Sequence, residues 1–561
     1  MMTSHQRTQV MDRKRILIIG GVAGGASCAA RARRLSEDAE IIIFDRGNYV
    51  SFANCGLPYY VGDTIADEKK LLVANADLFK QRFNIEVRLK SDVRAINRDQ
   101  QEIVVRNLET GEEYREKYDN LVLSPGAAPV RPPLSGIDLP GIFALRTIPD
   151  SRHIREWIQA HQVKQATIVG GGFIGLEMAE NLVRRGISTT IVEMLPQVMA
   201  PLDVEMVAPV HDRLRSHGVN LCLNDGVRGF AQNTDGTLSV STQSGHTYIA
   251  DLVILAIGVR PETDLAKNAG LDIGETGGIR VNERMQTSDD RIWAVGDAVE
   301  VIDFVTRKPT RIPLAGPANR QGRIAADTMF GRDSIFRGVQ GTSVCGVFDL
   351  VIASTGANEK TLNRLGIDYQ KVYLHPGHHV GYYPGAKPID LKLLFSPKDG
   401  KVFGAQAVGE AGVEKRIDVI SMAIQRGATI FDLEEAELCY APQFGAAKDP
   451  VNMAGMIAAN ALRGDAPILY WQDGVPDDAM LLDVREVGEY EAGHVEGATN
   501  LPLSQLRDRM AELPKDRKIA VYCQVGQRAY YATRALRLNG YDAHNLTGGF
   551  KTYQAVQATE S

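Results

Sequence analysis

The chain has 561 residues, 44% hydrophobic and 24% charged, with a formal net charge of −6. That length predicts about three to five domains, and the mildly acidic balance gives no electrostatic case for nucleic acid. No stretch approaches the roughly 18 uninterrupted apolar residues of a membrane span. The cysteines at 28, 55, 222, 345, 439 and 523 stand far apart with no C-x-x-C, which argues against a zinc ribbon, a thioredoxin-type dithiol and a disulfide framework and fits a reducing, cytosolic setting.

The first 14 residues are polar, and the apolar run Ile16–Ile19 is too short for a signal sequence. Arg15 to Ile19 reads instead as a buried parallel strand. Gly20-Gly21-Val22-Ala23-Gly24-Gly25 follows, then a helical pattern through Leu35, then a strand over Ile41–Phe44 ending at Asp45. This is the β-turn-α-β order of a dinucleotide site. Gly20 permits the tight turn and Gly25 the close helix–strand packing. The helix N-terminus faces a pyrophosphate, and an acid about 20 residues on accepts ribose hydroxyls. Val22 replaces the usual middle glycine, so a turn without a ligand stays open on this motif alone. Ser51-Phe52-Ala53-Asn54-Cys55-Gly56-Leu57-Pro58 comes next, with no second cysteine two to five residues from Cys55. Cys55 thus reads as a lone redox thiol before a predicted helix start at Gly56-Leu57-Pro58.

Residues 83–123 read as strands ending in Leu121-Val122-Leu123-Ser124-Pro125-Gly126. A second unit opens with the strand Ala166–Val169 and the intact fingerprint Gly170-Gly171-Gly172-Phe173-Ile174-Gly175. A helix follows, then a strand over Thr189–Val192 ending at Glu193. Glu193 would accept both ribose hydroxyls and repel a 2′-phosphate, and Met194, Leu195 and Pro196 offer no cation, which favours NADH over NADPH. Leu252–Gly258 closes this unit. Arg291–Asp297 is a further strand ending in Gly296-Asp297, where the carboxylate faces a ligand crevice or serves as a surface turn.

From Phe336 to about Asn452, strand-like runs (Ser343–Phe348, Asp390–Phe395, Lys401–Val408) alternate with a helical one (Glu414–Gln425), the pattern of an α+β module. Ala454–Pro467 reads as helix running into a linker. Beyond it, Leu481–Arg485 reads as a strand, Glu489–Ala498 as a loop, and Ile519–Tyr522 as a buried strand. That last strand leads into Cys523-Gln524-Val525-Gly526-Gln527-Arg528 and a helix.

The two fingerprints, the Gly-Asp strand end and the later α+β module resemble the pyridine nucleotide–disulfide oxidoreductase family over roughly residues 14–452. The Ser51–Tyr60 stretch is similar to its single-cysteine branch of coenzyme A disulfide reductases, NADH oxidases and NADH peroxidases. Asp483-Val484-Arg485, Gly493-His494 and Leu546-Thr547-Gly548-Gly549 resemble a rhodanese domain, and the whole resembles coenzyme A disulfide reductase–rhodanese fusions, also described as NADH-dependent persulfide reductases. The resemblance implies an α/β fold with two Rossmann-like nucleotide-binding domains (FAD and NAD), an α+β dimerisation domain and a C-terminal α/β rhodanese domain. The expected boundaries are 14–147 with 266–333 for FAD, 148–265 for NAD(P)H, 334–452 for dimerisation, 453–475 for a linker and 476–561 for rhodanese.

The resemblance further implies FAD at Gly20, Val22, Ala23, Gly24, Gly25, Asp45, Arg46, Ser124, Gly126, Gly296 and Asp297. It implies NAD(P)H at Gly170, Gly172, Phe173, Ile174, Gly175, Glu193 and Gly258. Coenzyme A contacts would fall at Ser27, Arg31, Arg34, Ser51, Phe52, Asn54, Arg82, Asn319 and Lys448, although Arg31, Arg82 and Asn319 depart from the family's residue types. Peroxidases and oxidases of the branch carry a histidine where this chain has Ala23. Coenzyme A disulfide reductases carry two tyrosines that reach the other subunit of a homodimer. Tyr440 matches one, and Tyr382 the other with Tyr383 as a neighbouring alternative.

Thiolate, not thiol, attacks sulfur, and a free cysteine of pKa about 8.5 is mostly protonated at neutral pH. A helix N-terminus and an oxidised flavin would both favour the Cys55 anion. A tyrosine hydroxyl could protonate the leaving thiolate. For Cys523, the short Cys-x₄-Arg loop would aim backbone N–H groups inward and add Arg528 as a fixed cation. Cys28, Cys222 and Cys345 read as small buried hydrophobes. Two other readings remain: a peroxide- or oxygen-reducing NADH oxidase working through a Cys55 sulfenate, and a non-catalytic redox or sulfur-carrier protein.

Overall fold

The structure, a computed structural model, describes residues 14–560, so the reading of the N-terminal segment as polar lies outside it save for Lys14. Two compact units emerge: the described residues up to Pro133 with Phe143–His161 and Ile257–Val339, and Leu134–Ile142 with Gln162–Ala256 and Gln340 onward. No helix among the described residues is long and apolar enough to cross a membrane.

The first unit is built on a parallel sheet in the order Ile292–Ala294, Asn120–Leu123, Arg15–Ile19, Glu40–Phe44, Glu86–Arg88. Ile16, Leu17 and Ile18 are fully buried, as an unbroken apolar run in a strand covered on both faces must be. Each contributes about 1.5–3 kcal/mol by leaving water. The helix Ala23–Arg33 turns Gly24, Gly25, Ala26, Cys28, Ala29 and Ala32 inward. Those small residues let it lie close against the helix Ala315–Met329, where a Cβ on Gly322 would come within 2.2 Å of the Gly24 carbonyl oxygen. A three-stranded antiparallel sheet (Ser91–Asn97, Glu102–Asn107, Glu113–Lys117) completes the strand run expected over 83–123.

The second unit opens on parallel strands ordered Leu252–Leu255, Gln165–Val169, Ser188–Val192, Asn220–Cys222. It continues into an antiparallel five-stranded sheet ordered Ser343–Val347, Leu350–Gly356, Val402–Gly409, Ile389–Phe395, Gln370–Leu374. A last parallel sheet runs Ile468–Leu469, Ala543–Leu546, Ile519–Tyr522, Met480–Asp483, Thr499–Asn500.

Two local expectations are corrected. The helix expected over Ala454–Pro467 runs Pro450–Leu462 and ends before Gly464, and within the stretch expected as linker Ile468–Leu469 pairs in register with Asn545 and Leu546 as an edge strand. Pro467 lacks the N–H to extend a helix, but its carbonyl accepts from Asn545 N–H at 2.8 Å. The expected loop from Glu489 begins inside a short helix, Val487–Glu491, because Glu486 and Glu489 form a reciprocal capping box.

Buried charge joins the parts of the second unit. Lys392 is fully buried on the central antiparallel sheet and donates to Asp203 Oδ2 at 2.7 Å and to carboxylates of Glu205 and Glu359. Asp203 and Glu205 open the helix Val204–Ser216. Tyr373 donates its hydroxyl to Glu205 Oε1 at 2.7 Å and accepts from Gln472 Nε2 at 2.9 Å. Its backbone N–H donates to Thr547 Oγ1 at 3.0 Å. His375 bridges Asp390 (2.6 Å) and Thr552 (2.9 Å). The C-terminal helix Gly549–Glu560 packs against Val204–Ser216.

Candidate functional site

In the first unit, the C-terminal ends of the parallel strands carry the glycine turn, Asp45, Ser124 and Gly296-Asp297 together, the edge where open α/β sheets take ligands. Gly20 has φ +91°, and a Cβ there would stand 2.1 Å from the Ser124 carbonyl oxygen; one on Gly25 would stand 1.9 Å from the Gly20 oxygen. Those two glycines are therefore obligatory, while Val22 precedes the helix as its cap and offers no side-chain hydrogen bond. Gly21 N–H donates to Asp45 Oδ2 at 3.0 Å, Gly25 N–H to Ser124 Oγ at 3.1 Å, and Gly296 N–H to Gln321 Oε1 at 2.7 Å. Burial pushes the carboxyls of Asp45 and Asp297 up. The turn thus holds an 11-residue helix without a side-chain cap beside two carboxylates short of solvent. This chemistry suits the pyrophosphate and hydroxyls of a dinucleotide. Ala23 opens that helix, Gly24 is buried in it, and Gly126 turns at φ +75°. Arg46 is taken by an ion pair to Glu262 at 2.5 Å.

The Cys55 stretch is pinned to this turn by backbone. Ser51, at φ +49°, donates its N–H to Gly21 O at 2.8 Å and accepts from Val73 and Ala74; Ala53 N–H reaches Leu71 O at 2.8 Å. Phe52 bridges to Leu72. Asn54 and Cys55 are exposed at the tip, within the 3₁₀ turn Asn54–Gly56. The helix beyond, Leu57–Val61, has five residues, so its dipole is far smaller than the sequence reading assumed.

Ser27, Arg31 and Arg34 follow one another along one face of the first helix. Ser27 hydrogen-bonds Asn319 on the facing helix. Arg31, expected at a coenzyme A contact, is held by Asp327 at 2.6 Å. Arg34 and Arg82 are exposed.

In the second unit, Gly170 has φ +105°, and a Cβ on Gly175 would stand 2.0 Å from its oxygen, whereas Gly172 faces open space. The helix Phe173–Arg184, begun by Phe173, Ile174 and Gly175, again lacks a side-chain cap. Glu193 accepts from Gly171 N–H at 2.7 Å and Leu195 N–H at 2.9 Å, repeating the clamp of Asp45 on Gly21. Gly258, expected with this motif, lies in the first unit, where it turns at φ +96°. Tyr382 and Tyr440 are both exposed, and their hydroxyls lie 2.8 Å apart. Tyr383 packs edge-on against His379 at 5.5 Å. The bond to Tyr382 pushes the Tyr440 hydroxyl up, so it keeps its proton at neutral pH. Lys448 is exposed, and Cys439 is an exposed neighbour of Tyr440.

Cys523 sits fully buried at the end of Ile519–Tyr522. Gly526, at φ +93°, donates its N–H to the sulfur at 3.2 Å. The loop rests on Gly548 and Gly549: Phe550 N–H donates to Cys523 O at 2.7 Å and Lys551 N–H to Gln524 O at 3.0 Å. Arg528 lies beside Cys523, but its Nη1 and Nη2 donate to Glu489 at 2.6 and 2.7 Å. The fixed cation expected here is therefore shared with Glu489. Glu489, Gln321 and Glu262 were missed in the sequence because each acts on a residue distant along the chain, and no local motif marks them.

Comparison with known proteins follows the same division. The family model for pyridine nucleotide-disulphide oxidoreductases matches residues 14–322, its dimerisation domain 342–449 and the rhodanese-like domain 471–556. A coenzyme A disulfide reductase of Staphylococcus haemolyticus is 36% identical over 443 residues, 79% of this chain and 98% of that protein. A reduced Bacillus anthracis CoADR-RHD crystal structure superposes with a TM-score of 0.95 at 49% identity, covering 97% of this chain and 98% of the other. An NAD-dependent persulfide reductase from A. fulgidus gives 0.89 at 37% identity over 96% and 100% of the two chains.

Proposed function

Since this chain belongs to the pyridine nucleotide-disulphide oxidoreductase family and carries a rhodanese-like domain, we propose that it is an NADH-dependent flavoenzyme reducing coenzyme A disulfide and coenzyme A persulfide or polysulfide. The observation that carries the reading is the lone exposed thiol of Cys55, held by backbone bonds against the first glycine turn. Support for the substrate class comes from the Staphylococcus, B. anthracis and A. fulgidus relatives and from the paired hydroxyls of Tyr382 and Tyr440.

FAD would lie at Gly20, Gly24, Gly25, Asp45, Ser124 and Asp297, and NADH at Gly170, Gly172, Gly175 and Glu193. Bound FAD would supply the relay by which two electrons of NADH reach sulfur. The Cys55 thiolate attacks one sulfur of the disulfide, forms a mixed disulfide and expels a coenzyme A thiolate. Tyr440 or Tyr382, acting in a homodimer on the partner subunit's Cys55, donates the proton that thiolate needs. Two electrons then cleave the mixed disulfide, free the second coenzyme A and restore Cys55. The balance is one NADH and one proton per disulfide, giving NAD⁺ and two thiols. With coenzyme A persulfide the products are the thiol and hydrogen sulfide. Cys523 would carry sulfane sulfur as a persulfide.

The test is steady-state NADH oxidation with coenzyme A disulfide, coenzyme A persulfide and polysulfide, with sulfide assayed alongside. Wild type should turn over each far faster than oxygen alone. Equal rates with and without these substrates would sink the reading.

A further inference from the structure

Two cations stand at the Cys523 loop, and each is matched by a carboxylate. Arg485, buried, donates through Nε and Nη2 to Asp483 and through Nη2 to Gly493 O at 2.7 Å, and its guanidinium carbon lies 4.3 Å from the Phe550 ring centroid. Arg528 is engaged bidentately by Glu489, a geometry that uses both terminal nitrogens at once. The Glu489 carboxylate is not free to swing away, because Oε2 also accepts the Glu486 N–H at 3.1 Å in the capping box of Val487–Glu491. The hydrogen bonds to Arg528 hold Glu489 below the usual carboxylate range, and those to Glu489 hold Arg528 up. Both members therefore stay charged at working pH. The loop accordingly offers the sulfur the Gly526 N–H at 3.2 Å and an Arg528 side chain whose charge Glu489 already shares, and its two ion pairs sum to zero net charge.

Resting on the proposed sulfur-transfer role of Cys523, we propose that Glu489 is a specificity-determining residue that turns this loop away from dianionic sulfur donors and toward persulfides. With thiosulfate, the Cys523 thiolate attacks the outer sulfur. A new S–S bond forms, the sulfur–sulfonate bond breaks, and sulfite leaves with both electrons of that bond. The charge is −3 before and −3 after, and an Arg528 whose charge is shared with Glu489 offsets less of it than an unshared cation would. With a persulfide R–S–SH, the same attack on the outer sulfur releases a thiol, and only one negative charge moves to the new Cys523 persulfide. Backbone N–H groups suffice for that.

The experiment uses the full-length flavin-loaded chain and measures sulfur transfer to cyanide from thiosulfate and from coenzyme A persulfide. Glu489→Gln unpairs Arg528, and the ratio of thiosulfate to persulfide kcat/KM should rise about tenfold, mainly through a lower thiosulfate KM, as one added cation–anion contact gives. Glu489→Asp, which keeps the charge, should hold close to the wild-type ratio, and adding Arg528→Gln to Glu489→Gln should abolish the gain. A ratio unmoved by Glu489→Gln while both donors still react overturns the proposal. Should Glu489→Gln fail to fold, wild type decides. Its thiosulfate kcat/KM should be nearly flat from low to high salt, and a steep fall with salt, the mark of an unpaired cation, overturns the idea. If Cys523→Ser keeps both transfers, the sulfur-carrier reading fails instead, a result separable from the others.

Discussion

The two thiol loops of this chain solve opposite problems. Cys55 stands exposed on a tip whose stem is fixed by backbone hydrogen bonds from Ser51 and Ala53, so a bulky disulfide can approach while the loop stays registered on the glycine turn. Cys523 is fully buried, with a backbone N–H on its sulfur and a glycine pair beneath it, so a sulfane sulfur carried there would be enclosed. On the proposed function, the difference teaches that exposure follows substrate size: one thiol would be reached by a whole cofactor-sized molecule, the other only by the sulfur at its end.

The sharpest way to break this comparison is to remove each sulfur in turn. Cys55→Ser should lower NADH-dependent disulfide reduction by about 10³-fold or more, since a hydroxyl cannot form the mixed disulfide, while sulfur transfer to cyanide persists. Cys523→Ser should do the reverse. Parallel loss of both activities in either variant would merge the two sites and end the division of labour drawn here.

The loops also differ in what supports them, and that difference governs what the sequence could tell. Gly20, Gly25, Gly170 and Gly175, with Asp45 and Glu193, were legible because a strand, a turn and a helix contiguous in the chain build each site, and local geometry dictates residue type. The short loop after the strand that carries Cys523 was legible for the same reason, though not that the Gly526 N–H is the one on the sulfur. The network under the C-terminal sheet was not: Lys392 meets Asp203 across 189 residues, and Tyr373 meets Thr547 across 174. A lone lysine in an apolar strand announces no partner. The pairing of Arg528 with Glu489 escaped likewise, since the arginine's spacing from Cys523 was visible but its neutralisation was not.

That hidden support gives the next prediction. Lys392→Met leaves the buried carboxylates of Asp203, Glu205 and Glu359 without their shared cation, at a cost of about 3–5 kcal/mol. Urea unfolding should show the loss, with sulfur transfer failing at lower denaturant than in wild type. Loss of less than about 1 kcal/mol would mean the network contributes specificity of docking rather than stability.

Acid probes the same cluster more gently. Burial pushes the Glu359 carboxyl up, but the charges of Lys392 and Lys371 outweigh it and bring it down from 4.5 to about 2. A carboxyl depressed in the folded state stabilises fully above its unfolded value and loses that contribution as pH falls toward the folded one. Stability should therefore decline between pH 4.5 and 2, by up to about 3 kcal/mol from this group. Glu359→Gln should flatten that part of the pH–stability curve, measured as thermal midpoints across the window. An unchanged slope would show that Glu359 is not the titrating group.

The smallest effects come from two glycines, one packed against each thiol loop, and they set the comparison most finely. Gly549 has φ +63°, and a Cβ there would stand 2.3 Å from the Cys523 carbonyl oxygen and 2.8 Å from the Gly526 nitrogen. Alanine would meet both a disfavoured backbone region and a backbone clash, costing about 2–3 kcal/mol and displacing the N–H that faces the sulfur. Gly56, beside Cys55, has φ −83°, and its added methyl would meet the end of the Leu71 side chain at 2.7 Å. A side-chain tip can move where a backbone cannot, so Gly56→Ala should cost only about 1 kcal/mol and leave disulfide reduction within a fewfold of wild type. Sulfur transfer by Gly549→Ala should fall by at least ten times more than disulfide reduction by Gly56→Ala, because the enclosed thiol depends on the placement of one N–H and the open one does not.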